Sequence, residues 1–139
     1  MPKDRSEDSR MIDSNVCVGG NVDTPYLEYE RDTNINDRPG LKCCECLGEI
    51  PIGSAYEYAA VDFEGEQRQH YTCLLCVEIR DAFSWGEPFA HGYLWDDMGE
   101  YVFPQLTTTS ECFVALSPMA KNRVFGFWRD WSDRRSRYE

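Results

Sequence analysis

The segments Cys43-Cys44-Glu45-Cys46-Leu47-Gly48 and His70-Tyr71-Thr72-Cys73-Leu74-Leu75-Cys76 decide the fold of this 139-residue chain. They contain two Cys-x2-Cys pairs, which are separated by 26 residues. Two cysteines at this spacing can direct both sulfurs toward one point about 2.3 Å away, the Zn–S distance of a tetrahedral site. The pattern therefore predicts one structural Zn²⁺ held by four sulfurs, those of Cys43, Cys46, Cys73 and Cys76.

The sequence also allows other roles for the neighbouring cysteines and histidine. Cys44 could replace Cys43 as a ligand, and His70 could replace one of the sulfurs, although we expect His70 to lie beside the site at the end of a hairpin. A redox pair is disfavoured, because the second Cys-x2-Cys lacks a thioredoxin-like βαβ setting. We interpret Cys17 as an incidental thiol and Cys112 as a small buried hydrophobic side chain.

The spacer between the two cysteine pairs is long enough for a β-hairpin. Residues 54–61 and 67–72 are rich in strand-forming side chains, and Gly65 between them suits a tight turn. A helix is expected to begin near Cys73, with the second cysteine pair in its first turn, and to end at about Trp85. The expected order is therefore a knuckle, a hairpin and a helix, which places the domain in the α+β class.

Two further helices are expected downstream of this unit. A short one is predicted over about 92–100, and a longer one begins where Ser117 supplies an N-cap and Pro118 the first helical position. Apolar side chains recur on one side of the longer helix at helical spacing, so we predict that this stripe faces the core. The stripe consists of Ala120, Val124, Phe127, Trp128 and Trp131.

Knuckle, hairpin and helix in this order resemble a treble-clef zinc finger. The stretch CCECLGEIPIGSAYEY, followed by HYTCLLCVEIRDAF, is also similar to small phage-encoded zinc-finger proteins, mostly of uncharacterised function. The shared features are a cysteine turn ending in glycine, an Ile-x-x-Gly-x-x-Tyr segment and a Cys-Leu-x-Cys helix. Here the turn glycine, Gly48, comes one residue later than in that pattern. The resemblance covers about 43–100 and implies a fold and a phage origin, but no biochemical role.

Charge and composition divide the chain into two parts. Residues 1–40 are polar and predict a flexible acidic N-terminal arm, while 41–139 predict the zinc-binding domain. The net charge is −11, and residues 41–105 contain twelve acidic but only three basic side chains. This balance disfavours a nucleic-acid-binding surface and favours a basic partner. No apolar run approaches the roughly 18 residues of a membrane span, and no signal peptide begins the chain, so a cytoplasmic location is expected.

These features favour a protein-interaction module over an enzyme. No P-loop, nucleophile elbow or dinucleotide fingerprint is present, and we predict no catalytic or organic-cofactor site. The chain contains only two histidines, His70 and His91, and the neighbours Asp96 and Asp97 would diverge on a helix. An alternative is a nucleic-acid-binding zinc-finger regulator that uses the basic C-terminal helix, with Arg123, Arg134 and Arg137 on one side.

The resemblance to phage proteins gives the interaction hypothesis a more specific form. A phage accessory protein of this kind would act in the host cytoplasm, where its acidic surface would bind and inhibit a basic protein or nucleoprotein complex. A host defence or nucleic-acid-processing complex is a natural target, because its nucleic-acid groove is basic. The protein would then act in an anti-CRISPR-like manner, as a nucleic-acid mimic.

Overall fold

A three-stranded antiparallel sheet forms one side of the protein, and helices cover one of its faces. The structure is a computed structural model that describes residues 26–84 and 90–137. The strands are β1 (Tyr26–Ile35), β2 (Ala55–Phe63) and β3 (Glu66–Cys73), in the spatial order β1-β2-β3. The mixed α+β class predicted from the sequence is therefore confirmed.

The predicted hairpin consists of β2 and β3, which are joined by a two-residue turn. Phe63 pairs with Glu66, and Glu64 and Gly65 between them have φ values of 55° and 83°. Positive φ at both central positions is typical of a type I′ turn, whose twist matches that of the flanking strands. The backbone N–H of Gly65 also donates to Asp62 Oδ1 at 2.9 Å, which holds the turn in place.

β1 lies within the N-terminal segment 1–40, for which the sequence predicted a flexible arm. It pairs along its length with β2, with a bulge between Glu28 and Glu30. Most side chains of β1 are exposed and several are charged, which is common for edge strands because charge discourages pairing with other chains. The low hydrophobicity that predicted an arm is therefore the composition of an edge strand. Residues 1–25 lie outside the described part of the chain.

The pairing register gives the sheet two chemically different faces. Tyr58 pairs with Asp32 on β1 and with Tyr71 on β3, so these three side chains share the face that we call the outer face. Glu57 and the nearly inaccessible Ala59 point the other way, toward the helices, and belong to the inner face.

The helices follow the sheet in chain order. α1 spans Leu74–Ser84, α2 Leu94–Asp97, α3 Glu111–Val114 and α4 Pro118–Arg137. A π-helical turn, Met98–Val102, and a 3₁₀ turn, Phe103–Gln105, continue from α2, so the short helix predicted over 92–100 is present in a broken form. The predicted end of α1 at Trp85 lies outside the described residues. None of the described helices combines the length and apolar character that a membrane span requires.

α4 begins and packs as its sequence predicted. The Ser117 hydroxyl accepts a hydrogen bond from the N–H of Ala120 and donates to the carboxylate of Glu78 on α1, which also accepts the Ser117 N–H. Ala120 and Val124 are fully buried, while the aromatic members of the stripe are partly buried against the core. Phe127 stacks on Trp95 with a centroid distance of 3.9 Å.

A buried ion pair ties α1 to the inner face of the sheet. Both terminal nitrogens of Arg80 donate to the carboxylate of Glu57, at 2.8 and 2.9 Å, and both side chains are more than nine-tenths buried. Burial alone would lower the Arg80 pKa, but the hydrogen bonds and charge of Glu57 outweigh it and the pKa is raised. The pair fixes the position of α1, and therefore of the second cysteine pair, against β2.

Candidate metal centre

Four cysteine sulfurs from two distant segments meet at the end of the sheet where β3 joins α1. The Sγ atoms of Cys43, Cys46, Cys73 and Cys76 all lie within 4.8 Å of one another. Around a tetrahedral Zn²⁺ the sulfurs would be roughly 3.8 Å apart, as the ~2.3 Å Zn–S bond requires. The cluster therefore has the composition and size to hold one metal ion, and its members are the four residues that the spacing predicted.

The first pair lies on a tight knuckle between Leu41 and Ile50. The Cys43 N–H donates to the Gly48 carbonyl at 2.9 Å, and the Leu47 N–H donates back to the Cys43 carbonyl at 3.0 Å. Leu47 adopts a φ of 65°, the left-handed conformation that usually favours glycine. Leu47 therefore adopts the left-handed conformation in this turn, whereas the sequence predicted that Gly48 would relieve the turn.

The second pair spans the junction between the hairpin and α1. Cys73 is the last residue of β3, and Cys76 lies in the first turn of α1, where it is fully buried. The Cys44 N–H donates to the Tyr71 carbonyl at 2.7 Å and so joins the knuckle to β3. This contact brings the two cysteine pairs together.

Every sulfur of the cluster receives at least one hydrogen bond. Three backbone N–H groups approach the Cys43 sulfur at 3.3 to 3.5 Å, namely those of Glu45, Cys46 and Cys73. The other three sulfurs share one side-chain donor, Arg123 on α4. N–H···S bonds of this kind stabilise thiolates and orient metal ligands.

Arg123 lies against the sulfur cluster on the side away from Cys43. Its Nη1 is 3.3 Å from the sulfur of Cys46, 3.6 Å from that of Cys73 and 3.8 Å from that of Cys76. Burial alone would lower the pKa of Arg123, but its hydrogen bond to Cys73 and the neighbouring sulfur charges raise it. Four thiolates around a divalent ion carry a formal charge of about −2, so this guanidinium cancels part of an excess negative charge.

Arg123 was predicted on a basic side of the last helix, together with Arg134 and Arg137. Its contact with Cys46 joins positions 77 residues apart, so local spacing could not identify the partner. Helical periodicity offered one signal, because Arg123 lies at helical spacing with the apolar stripe of α4, which was predicted to face the core.

The four sulfurs of the cluster influence one another's protonation. A hydrogen bond from Cys43 lowers the pKa of Cys46 to about 6, and the neighbouring cysteines lower the pKa of Cys73. The same contacts raise the pKa values of Cys43 and Cys76, so the sulfurs share their protons when no ion is bound. Thiolates, not thiols, bind metal ions. The four-sulfur set favours zinc or iron over harder ions, and four protein ligands leave no open coordination position for substrate or water.

The other candidate ligands lie outside the cluster. Cys44 contacts the Thr72 hydroxyl at 3.4 Å, and burial raises its pKa to about 11. His70 is also not among the grouped ligands, as expected, and its ring stacks on another histidine. Cys112 is buried as predicted, but it is disulfide-bonded rather than a free thiol. Cys17 lies outside the described residues.

Glu45, which lies between Cys43 and Cys46 in the knuckle, connects the cysteine cluster to the second half of the chain. The buried carboxylate of Glu45 accepts the N–H groups of Gly92 and Leu94, at 2.8 and 2.9 Å. Leu94 is the first residue of α2, whose N-terminal N–H groups have no partner within the helix. Glu45 therefore caps α2 and holds the segment after residue 90 against the knuckle.

A cluster of two histidines and a glutamate lies on the inner face of the sheet. Nε2 of His91 is 2.9 Å from Oε1 of Glu28, and the ring of His91 stacks on that of His70 with centroids 4.9 Å apart. Burial, together with the charges of His91 and Arg68, lowers the pKa of His70 to about 4. His91 was predicted in a polar turn, but it is buried, because β1 supplies its partner.

Comparison with known proteins adds no assignment to this geometry. The chain matches no protein-family model, and neither a curated protein nor a solved structure is similar to it. The resemblances described above therefore depend on the motifs themselves. The structure supports a four-cysteine centre that could hold a metal ion, within a mixed α+β fold.

Proposed function

We propose that this protein is a non-enzymatic interaction module, in which a structural zinc ion holds a scaffold whose acidic surface binds a basic partner. The observation that carries the proposal is the closed set of four sulfurs in a domain whose sheet carries exposed carboxylates on its outer face. A centre of this kind stabilises a fold and activates no water. The function then depends on the surface that the scaffold presents.

Zinc is the ion that best fits the ligand set. A tetrahedral arrangement of four thiolates is typical of structural zinc sites, and the tight knuckle and helix-borne second pair are common ways of building one. The order of knuckle, hairpin and helix further supports a treble-clef-like unit, extended here by β1 on one side and α2 to α4 on the other. The zinc would stabilise the fold, so its removal would unfold the domain.

A basic polypeptide is the partner class that the charge distribution supports. Residues 41–105, which contain the metal ligands, carry twelve acidic and three basic side chains, and Arg80, one of those three, is buried in its pair with Glu57. Electrostatic complementarity of this kind accelerates association and excludes acidic partners. The resemblance to phage proteins suggests a specific form of this proposal, in which the partner is a basic host defence or nucleic-acid-processing complex in the host cytoplasm and the protein inhibits it as a nucleic-acid mimic.

The alternative, nucleic-acid binding through α4, has less support. Arg123, one of its three cations, lies against the cysteine sulfurs at 3.3 Å rather than in open solvent. Arg134 is exposed, but the chain as a whole carries a net charge of −11. Phosphate binding needs several clustered cations to overcome the repulsion of an acidic molecule.

Binding measurements across a defined panel test the proposal. The purified, metal-loaded chain is immobilised, and binding is measured for basic and acidic proteins of similar size and for duplex DNA and RNA. We expect binding to basic proteins that weakens at least about tenfold between roughly 50 and 300 mM salt, since exposed charges are screened. Retention of nucleic acid at low salt, or binding to none of the basic proteins, would overturn it.

A matched variant separates the two candidate functions. Arg129→Gln/Arg134→Gln neutralises two exposed cations of α4 without touching the metal centre. Under the proposal this variant binds basic proteins as well as the wild type does. A selective loss of nucleic-acid binding in the variant would instead support the alternative.

A further inference from the structure

The outer face of the sheet carries carboxylates that lack the partners found on the inner face. Glu28 and Glu57 on the inner face are each paired with an arginine, Arg31 and Arg80 respectively. Glu30 and Asp32 on the outer face are exposed and form no ion pair with any other residue of the described ranges 26–84 and 90–137. The two acids named on the inner face of the sheet therefore have an arginine partner, while two neighbouring acids on the solvent side have none among the described residues.

Tyrosine rings lie beside these two carboxylates. Tyr58 pairs directly with Asp32, and its ring lies 5.7 Å from that of Tyr71 on β3, tilted by 51°. Tyr29, at the bulge of β1, reaches across the same face, where its hydroxyl donates to Gln67. Tyr29 is half exposed, and the rings of Tyr58 and Tyr71 are partly exposed. The acids are thus bordered by faces that attract cations.

The centre of the outer face is covered by its larger side chains. Ala60 lies between Glu30 on β1 and Gln69 on β3 in the pairing register, and it is only 2% exposed. A ligand would therefore contact the carboxylates and rings that stand above this position rather than the backbone of the sheet. A flat guanidinium suits such a surface, because it can at once contact a carboxylate and stack on an aromatic face.

The same face already holds one guanidinium. The Cζ atom of Arg38 lies 5.7 Å from the centroid of the Tyr71 ring, within the distance at which cation–π attraction is significant. This contact is at the end of the sheet near the metal centre. It shows that an arginine can lie over a tyrosine of this face.

The spacing of the two acids indicates the form of the ligand. Glu30 and Asp32 are two residues apart on one strand, so their side chains project from the same face about 7 Å apart. An extended peptide presents alternate side chains at this same spacing. Two arginines separated by one residue would therefore meet the two carboxylates in register.

We propose that the outer face, formed by Tyr29, Glu30, Asp32, Tyr58 and Tyr71, is a docking surface for an extended arginine-rich segment of a partner protein, with the arginines at alternate positions. The inference rests on the proposed function and deepens it, because it names the surface and the chemistry of the partner. Arginine is favoured over lysine, since its planar fork both pairs with a carboxylate and stacks on tyrosine.

Peptide binding to the full metal-loaded chain tests the surface. Fluorescence anisotropy is measured with a labelled peptide of alternating arginine and serine, a peptide of equal composition with its arginines in one block, and an alternating lysine peptide. The surface variant is Glu30→Gln/Asp32→Asn. The matched control, Glu64→Gln/Glu100→Gln, removes the same charge at two exposed positions away from the outer face. Metal content and circular dichroism confirm that each variant is folded.

We expect the surface variant to bind the alternating arginine peptide at least about tenfold more weakly than the wild type, and the control less than about threefold. The alternating arginine peptide should also bind more tightly than the block and lysine peptides. Equal losses of affinity in the surface variant and the control variant would contradict the docking surface but would leave the proposed function intact. Binding of the basic proteins without binding of the alternating arginine peptide would likewise contradict only the docking surface. Self-association of the chain alone through this face would assign it to a second copy and overturn the inference.

Discussion

The guanidinium of Arg123 donates to the sulfur of Cys46 at 3.3 Å and so joins the last helix to the first ligand pair. The same nitrogen also lies within 4 Å of the sulfurs of Cys73 and Cys76. The cysteine centre is therefore completed by a cation from a distant part of the chain. Its stability depends on the docking of α4 as well as on its ligands.

Removing this cation should loosen the hold on the metal. Hydrogen bonds to charged groups contribute about 1.5–3 kcal/mol, so Arg123→Met should release the ion to a chelator at least about tenfold faster than the wild type. Arg123→Lys keeps the charge but loses the planar guanidinium, so it should release the ion at a rate between those of the wild type and Arg123→Met. The control is Arg129→Met, an exposed arginine of the same helix. Equal release rates for Arg123→Met and Arg129→Met would contradict the role assigned to Arg123.

Loss of one ligand sulfur should unfold the domain. Because binding of a structural metal supplies folding free energy, Cys46→Ser or Cys73→Ser should lose stoichiometric metal and most ordered secondary structure. Elemental analysis and far-UV circular dichroism measure the two effects. Cys44→Ser, next to the ligands but outside the cluster, should retain both. An unchanged spectrum in Cys73→Ser would count against the structural role of the site.

The left-handed residue of the knuckle offers a stabilising substitution. A non-glycine residue in this conformation costs about 1–2 kcal/mol, and the greater freedom of glycine in the unfolded chain offsets part of the gain. Leu47→Gly should therefore raise the free energy of unfolding by about 0.5–1 kcal/mol in urea titrations. Ile52→Gly, at an exposed position without a positive φ, should not. A loss of stability in Leu47→Gly would show that its side chain is needed in the fold.

Breaking the buried ion pair should be far more costly than breaking an exposed one. Arg80→Met leaves the Glu57 carboxylate buried without its main partner, which typically costs about 3–5 kcal/mol. Arg68→Met removes the exposed pair with Glu66, 3.0 Å long, and should cost about 0–1 kcal/mol. The double variant Glu57→Leu/Arg80→Met should recover part of the loss, as denaturant unfolding would measure. Similar losses for the two single variants would contradict the burial of the pair.

The free energy of unfolding should decrease at acidic pH, because His70 takes up a proton more readily in the unfolded chain than in the folded one. Its pKa is lowered to about 4 in the folded state, so the unfolded chain binds a proton more readily between roughly pH 6.5 and 4. In that range stability should decrease as the pH falls, with a slope approaching about 1.4 kcal/mol per pH unit. His70→Gln should show a shallower slope in urea titrations at saturating metal.

The carboxylate of Glu28 contributes at lower pH than His70. Burial would raise the pKa of Glu28, but its hydrogen bonds with Arg31 and His91 outweigh this effect, so the pKa lies below the ordinary value of a glutamate. Its contribution is present above that value and is lost as the pH falls further, and it should remain in His70→Gln. Acid release of metal from the thiolates is common to wild type and variant and cancels in the comparison. If stability depended on pH with the same slope in the wild type and in His70→Gln, the role assigned to His70 would be contradicted.

Local patterns in the sequence were sufficient for the parts of the fold that local interactions determine. The Cys-x2-Cys spacing identified all four grouped ligands, and strand-forming composition around Gly65 located the hairpin. Ser117 and Pro118 marked the start of α4 to within one residue. In each case the signal depends on geometry within a few neighbouring residues, which the sequence displays directly.

The missed features all depend on contacts between distant segments. β1 is a charged edge strand, and its pairing partners on β2 are 20 to 37 residues away in the sequence. Buried His91 contacts Glu28 on that strand, 63 residues earlier in the chain. Arg123 is oriented by the docking of a whole helix. Residue types and local spacing contain no information about such pairings, so the sequence could not distinguish these side chains from solvent-exposed ones.

The position of Glu45 links the cysteine knuckle to the second half of the chain. In the sequence this residue lies between two of the four grouped cysteines, Cys43 and Cys46, and its carboxylate accepts the N–H groups of Gly92 and Leu94. A change in the knuckle on gain or loss of a metal ion would therefore be transmitted directly to the start of α2.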